Sequence, residues 1–201
     1  EIMNSLTPII SLSETLCERE VDERSYSLMH QGMQTIHRRS KGLLEFVENY
    51  RKLTRLPAPV RRPVSLVELF QDLRKLFPED YIHIYLPADD RTLQIDRTQV
   101  EQVLINLLKN AREACTRRSE PCIDVRVLPA QSWQCRITVS DNGDGILPDV
   151  VDKVFVPFFT TKPGGQGIGL SLCKQIMNRH GGNITVESVV GQGTCFTLLF
   201  N

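Results

Sequence analysis

Gln102-Val-Leu-Ile-Asn-Leu-Leu-Lys-Asn-Ala-Arg-Glu-Ala114 decides the fold of this chain. Its apolar residues recur at three- and four-residue intervals, the period of a helix with one face turned to a core. Asn106 and Asn110 stand one turn apart, so both carboxamides project from the same side of that helix. An amide without a partner is costly to bury, and partners emerge downstream. Asp141-Asn-Gly-Asp-Gly145 and Gly164-Gly-Gln-Gly-Ile-Gly-Leu170 are two glycine-rich loops. A side-chain oxygen for a metal, beside loops able to approach phosphates, reads as a nucleotide site.

Outward from that helix the pattern is α+β. Strands are predicted at 82–86 and 92–95 before it, and at 122–128 and 135–140 after it, where side chains alternate in character. A helix is predicted at 65–77, with Ser65 as its cap and Glu68 at the third helical position. Beyond the second glycine loop, 168–179 reads as a helix stopped by His180-Gly-Gly182, and strands at 183–188 and 194–200 flank the turn Val190-Gly-Gln-Gly193. Upstream, Leu56-Pro-Ala-Pro-Val-Arg-Arg-Pro63 is a linker by its proline content. Residues 1–54 read as two helices, one carrying Ile2, Leu6, Ile9, Leu12 and Leu16, the other Met29, Met33, Ile36, Leu43, Val47, Tyr50 and Leu53 near a heptad seam. Pro8 costs the first helix a hydrogen bond or kinks it. Two helices cannot bury such stripes alone, so a dimeric four-helix bundle is expected. The division is a hairpin at 1–54, a linker at 55–64 and a catalytic domain at 65–201.

Composition removes several function classes. Acidic and basic residues balance at 24 each, so no global field marks nucleic acid or a membrane surface as a partner. Six cysteines (17, 115, 122, 135, 173 and 195) are scattered, with no Cys-x-x-Cys pair and no histidine at metal spacing. That argues against zinc and against a disulfide framework, and it suits a reducing cytoplasm. Cys173 and Cys195 read as small core residues. No apolar run approaches the roughly 20 residues needed to span a bilayer, and no signal peptide precedes the first helix. The chain begins as if in mid-helix, and we expect a cytoplasmic piece of something longer.

The second glycine loop, Gly165-x-Gly-x-Gly169, opens a helix whose start favours anions. It is neither a P-loop nor a dinucleotide fingerprint, lacking the Gly-Lys-Ser/Thr of one and the preceding strand of the other. Asp141 ends a strand where its carboxylate can read an exocyclic amine, the plainer alternative being a helix cap or an Asx-turn. Phe155-Val-Pro-Phe-Phe-Thr-Thr-Lys162 joins the two loops, with Lys162 able to approach phosphates and Phe158 and Phe159 expected in the core.

In this order, Asn106-x-x-x-Asn110, Asp141-x-Gly-x-Gly145, Phe155 to Lys162, Gly165-x-Gly-x-Gly169 and Gly191-x-Gly-Thr194 resemble the boxes of the sensor histidine kinase ATP-binding domain. That domain shares its fold with gyrase, the Hsp90 chaperones and the MutL mismatch-repair proteins. The resemblance covers roughly residues 65–201 and implies an α/β sandwich with a mixed sheet, binding ATP and Mg²⁺. It assigns Asn110 to Mg²⁺, Asn106 and Lys109 to the phosphates, Asp141 to the adenine amine and Thr194 to the adenine end. Gly143, Gly145, Gly165, Gly167 and Gly169 let the loops close. Members that hydrolyse ATP carry a glutamate where this chain has Asn106, and a carboxamide cannot take a proton near neutral pH. Transfer to a side chain is therefore expected in place of hydrolysis.

Glu1-Ile-Met-Asn4-Ser-Leu-Thr-Pro8 resembles the segment that follows the phosphoacceptor in the His-Glu-x-x-Asn form of the kinase hairpin. The resemblance implies an acceptor histidine just before Glu1, with Glu1 as its base and Asn4 positioning water for dephosphorylation of a response-regulator receiver domain. Without that histidine the chain is expected to bind ATP but not to phosphorylate itself. None of His30, His37, His83 and His180 has such a neighbourhood, and each reads as structural. An alternative reading is a regulator-binding phosphatase scaffold, resting on Asn4, with nucleotide only regulatory.

Overall fold

The computed structural model describes residues 2–17, 26–88, 91–129, 135–162 and 165–201. The chain divides into two compact units, Glu1–Arg55 and Leu56–Asn201.

The first unit is a helical hairpin of α1 (Ile2–Cys17) and α2 (Tyr26–Thr54), with Pro8 inside α1. Close approach of the two helices depends on Gly32. It is buried, and a Cβ there would sit 3.0 Å from Leu16 Cδ1. The pair does not exhaust its apolar stripes: Ile10, Met33, Leu44, Val47 and Tyr50 remain exposed. Glu1 lies outside the described residues, and of Asn4 only its place in α1 is described.

The second unit carries a five-stranded mixed sheet in the order β2-β4-β5-β7-β6, formed by β2 (Ile82–Tyr85), β4 (Ile123–Leu128), β5 (Cys135–Asp141), β6 (Asn183–Val189) and β7 (Gly193–Phe200). Only β2 and β4 pair in parallel; the other neighbours are antiparallel. Apolar residues at alternate positions, Ile123, Val125 and Val127 on β4 and Ile137 and Val139 on β5, turn to the core. There they meet α3 (Leu66–Leu76), α4 (Arg97–Ala114) and α6 (Gly169–Arg179). A four-residue turn of helix, α5 (Pro148–Val151), follows the first glycine loop.

The local readings hold, except that the proline-rich linker ends in a strand. Ser65 caps α3 as expected, its Oγ accepting from Glu68 N at 3.2 Å. The asparagine helix starts at an Asp96 cap, whose carboxylate accepts from Gln99 N at 3.1 Å, and buries Val100, Val103, Leu104, Leu107, Leu108 and Ala111. The strands at 82–85 and 92–95, however, lie in different sheets. β3 (Thr92–Ile95) pairs with β1 (Arg62–Ser65), which forms at the end of the proline-rich stretch. Pro63 is tolerated in a two-stranded ribbon, where not every amide needs a ladder partner. β2 finds its partner in β4, some 40 residues on, a pairing that local alternation cannot reveal.

His180 is structural, as read. Its buried Nε2 accepts from Asp96 N at 3.0 Å, while Nδ1 lies 2.8 Å from Ile176 O. The end of α6 is thereby fastened to the cap of α4. The same cap takes Val60 N at 3.0 Å on its second oxygen. Buried Cys173 likewise sits in the core, its thiol pushed up to about 12 by burial.

Candidate functional site

A cleft of about 900 Å³ opens between α4, the 144–146 turn, residues 154–162 and 165–169, and β7. That is room for a ligand of several hundred daltons. From α4 it is lined by Asn106, Lys109 and Asn110, and from the sheet by Asp141 and Thr194. Gly145, Lys162, Gly165, Gly167 and Gly169 complete the wall. Gly143 is not in the lining; its amide donates to Asp141.

At the sheet end, Asp141 is the last residue of β5 and lies opposite Thr194 of β7. Only 8% of Asp141 and 5% of Thr194 is exposed. Asp141 Oδ1 accepts from Gly143 N at 2.9 Å, which orients the carboxylate into the cleft. Burial raises its pKa above the usual aspartate value, opposed by the amides of Gly143 and Thr194 and, more weakly, by Lys162 and Arg118. The supporting backbone is tight. A Cβ on Gly193 would fall 1.9 Å from Asp141 O, and Gly193 has φ 121°. One on Gly145, at φ 73°, would fall 2.3 Å from Val189 O.

The helix end is built differently. Asn110 Oδ1 accepts from Lys162 Nζ at 3.1 Å, and the same ammonium lies 2.5 Å from Glu113 Oε2. Both members of that ion pair are about half exposed. Asn106 faces inward, its Nδ2 3.8 Å from Cys173 Sγ. Lys109 is exposed on the rim. Gly169 keeps the start of α6 near the helix, with an added Cβ 3.7 Å from Asn106 Cγ.

The Phe158–Gly167 pair closes the segment between the two ends. Phe158 N donates to Gly167 O at 2.8 Å, and both residues have positive φ, 65° and 66°. A phenylalanine in that region is strained by about 1–2 kcal/mol. Phe158 and Phe159, expected in the core, are each only half-buried, and Phe159 lines the cleft. The reason is topological: the segment runs along the cleft, so only Phe155 and Val154 pack inward.

Two contributors escape sequence reasoning. Ser188 Oγ accepts from Ile146 N at 2.8 Å, donates to Gly193 O at 2.9 Å and lies 2.9 Å from Thr194 Oγ1. Its position directly opposite Thr194 in the β6–β7 hairpin was the available signal. Arg118 donates to Gly143 O at 2.8 Å and to Gly191 O at 2.7 Å, strapping the two turns at the sheet end. Nothing in its local sequence marks it.

The donor set fits a nucleotide with Mg²⁺. Asn110 Oδ1 and the Glu113 carboxylate already solvate one cation, and hard oxygen donors suit Mg²⁺. The buried carboxylate of Asp141 is a matched acceptor for an amine.

Residues 95–201 match the family described as histidine kinase-, DNA gyrase B-, and HSP90-like ATPase. The chain is 30% identical over 204 residues to the sensor histidine kinase ZraS of Salmonella typhimurium, covering 98% of this chain and 43% of ZraS. It spans less than half the length of the curated relatives it matches. Among solved structures, the catalytic domain of histidine kinase ThkA is 32% identical with a TM-score of 0.62, covering 70% of this chain and 94% of that one. ThkA in complex with the response regulator protein TrrA is 26% identical with a TM-score of 0.65, covering 99% of this chain and 58% of that one.

Proposed function

Because this chain belongs to the histidine kinase-, DNA gyrase B-, and HSP90-like ATPase family and is homologous to sensor histidine kinases, we propose that its cleft binds ATP for transfer to a protein histidine. The observation that carries this reading is Asn106. At the position where hydrolysing members hold a carboxylate, a carboxamide faces the buried thiol of Cys173, so no group there can draw a proton from water.

The residues divide the work. Asp141 accepts from the adenine amine, and Thr194, held by Ser188, fixes that end. Lys109 and Lys162 approach the phosphates, with the amides of Gly165, Gly167 and Gly169 around them. Asn110 would hold Mg²⁺, which would offset phosphate charge when bound. The acceptor is a histidine immediately before Glu1. Its imidazole nitrogen attacks the γ-phosphorus as the bond to the β–γ bridging oxygen breaks and ADP departs with the electron pair. Glu1 takes the proton from the other ring nitrogen. The phosphoryl group then passes to a receiver-domain aspartate, and Asn4 positions water for the reverse signal. The apolar residues left exposed on the hairpin support a homodimer through α1 and α2, and the ThkA complex with a response regulator supports a receiver-domain partner. No helix among the described residues is long and apolar enough to cross a membrane. We place the catalytic unit on the cytoplasmic side, anchored through upstream segments.

The test extends the chain upstream and supplies γ-labelled ATP. The expected product is an acid-labile, base-stable phosphoprotein that disappears when the residue before Glu1 is substituted. Rapid phosphate release without a phosphoprotein overturns the proposal, as does labelling that survives the substitution.

A further inference from the structure

Away from the cleft, three side chains of different chemistry meet on the far face of the five-stranded sheet. His83 of β2 stands directly opposite Asp124 of β4 in the parallel ladder. Cys122, two residues before Asp124, projects to the same face. One ligand atom from each lies within 4.8 Å of the other two, and Cys122 Sγ is 3.8 Å from Asp124 Oδ1. No other such group of three or more His, Cys, Asp and Glu side chains occurs among the described residues.

The backbone beneath them is held on both sides. Ile123 N donates to Tyr81 O at 2.8 Å, Cys122 N donates to Asn142 Oδ1 at 2.9 Å, and Asn142 N donates back to Cys122 O at 3.1 Å. Arg126 donates to Asp124 Oδ2 at 2.8 Å, leaving Oδ1 turned toward the thiol. Arg126 is itself held over the Tyr85 ring, 4.8 Å from its centroid. Two ligands on paired strands, a third fixed one residue before β4 and an oriented carboxylate form a prearranged set.

We propose that His83, Cys122 and Asp124 form a three-ligand site for a borderline divalent cation, with Zn²⁺ as the occupant. Thiolate and imidazole donors select such ions over Mg²⁺ and Ca²⁺, so the site does not compete for the metal of the nucleotide. Metal–ligand lengths of about 2.0–2.3 Å set tetrahedral donors roughly 3.3–3.7 Å apart, which the present separations reach with small side-chain rotations. On binding, the Sγ–H proton leaves to solvent as the sulfur–metal bond forms, with no change of oxidation state. His83 is exposed, and the other two are half-buried. This leaves an entry path and a fourth position for water or an outside donor.

Co²⁺ serves as the spectroscopic probe on the whole chain, with Mg²⁺ present and no nucleotide. One equivalent is expected to give a thiolate-to-cobalt charge-transfer band in the near ultraviolet with tetrahedral absorption in the visible, both erased by Zn²⁺. Cys122→Ser should remove the charge-transfer band, whereas Cys195→Ser, at a half-buried thiol on β7, should not. His83→Ala and Asp124→Asn should each weaken binding by about tenfold or more. Zn²⁺ should raise the Tm of the unsubstituted chain but not that of Cys122→Ser. Far-ultraviolet circular dichroism checks that each variant is folded. A thiolate band that persists in Cys122→Ser, octahedral absorption only, or affinity indifferent to His83→Ala overturns the proposal.

Discussion

The two ends of the cleft are held by different forces. At the sheet end, Asp141 and Thr194 are almost wholly buried, and their geometry is set by the Gly143 amide, the β5–β7 ladder and the Ser188 hydroxyl, itself fixed on the Gly193 carbonyl. At the helix end, Asn110, Glu113 and Lys162 hold one another through exposed side chains. Backbone partners cannot exchange without unfolding the strand, whereas an exposed ammonium can leave one oxygen for another at little cost. The sheet end is therefore a fixed reader, and the helix end an adjustable clamp. That division suits a ligand whose base stays constant while its phosphates and metal come and go.

Gly193→Ala attacks the fixed end most directly. The added methyl would meet Asp141 O, and the backbone is in a region alanine avoids, so a loss of about 3 kcal/mol or more is expected in chemical denaturation. A near-neutral result would show that the turn relaxes and that the sheet end is not rigid.

Asp141→Asn separates reading from stability. ATP affinity should fall by roughly 10- to 100-fold, as for loss of a charge-assisted hydrogen bond of about 1.5–3 kcal/mol. Because the folded-state pKa of Asp141 is raised above its unfolded value, its ionisation opposes folding. The penalty is absent below the unfolded pKa and complete once pH exceeds the folded one. The asparagine variant should thus show a slightly higher Tm at pH 7 without ligand. By the same sign, ATP affinity of the unsubstituted protein should begin to fall on acidification at a higher pH than an ordinary aspartate would dictate. Calorimetric titration across pH measures both.

Asn106→Glu tests what lies between the ends. It supplies the missing carboxylate and should raise phosphate release by roughly tenfold, less than the 10²–10⁴ of a fully positioned base, because the new side chain must also leave Cys173. No increase would mean that water has no place there.

Lys162→Ala is the mildest change and the sharpest on the comparison. ATP affinity should fall about threefold and adenosine affinity not at all, while Tm moves little because exposed ion pairs contribute about 0–1 kcal/mol. An equal loss for adenosine would mean that the clamp also shapes the base pocket.

Much of the arrangement was legible beforehand where the signal is local. The apolar period of α4, the Ser65 cap and the alternation of β4 and β5 each depend on residues within a few positions of one another. Phe159 was misread because its apolarity indicates burial but not which wall it joins. Ser188 and Arg118 were missed because a hydroxyl and a guanidinium carry no periodic signal, and they reach their partners only through the hairpin and the turn.

The sequence by itself determined which residues could form helices, strands and close turns, since periodicity, caps and glycine conformations are set by neighbours along the chain. It also determined that Asn106 lacks a base's chemistry, because that is a property of the side chain alone. Only the tertiary structure decided that β2 pairs with β4 and not with β3, that Lys162 meets Asn110 across 52 residues, and that His83 joins Cys122 and Asp124. Those contacts depend on long-range strand register, in which a shift of one residue turns every side chain to the other face.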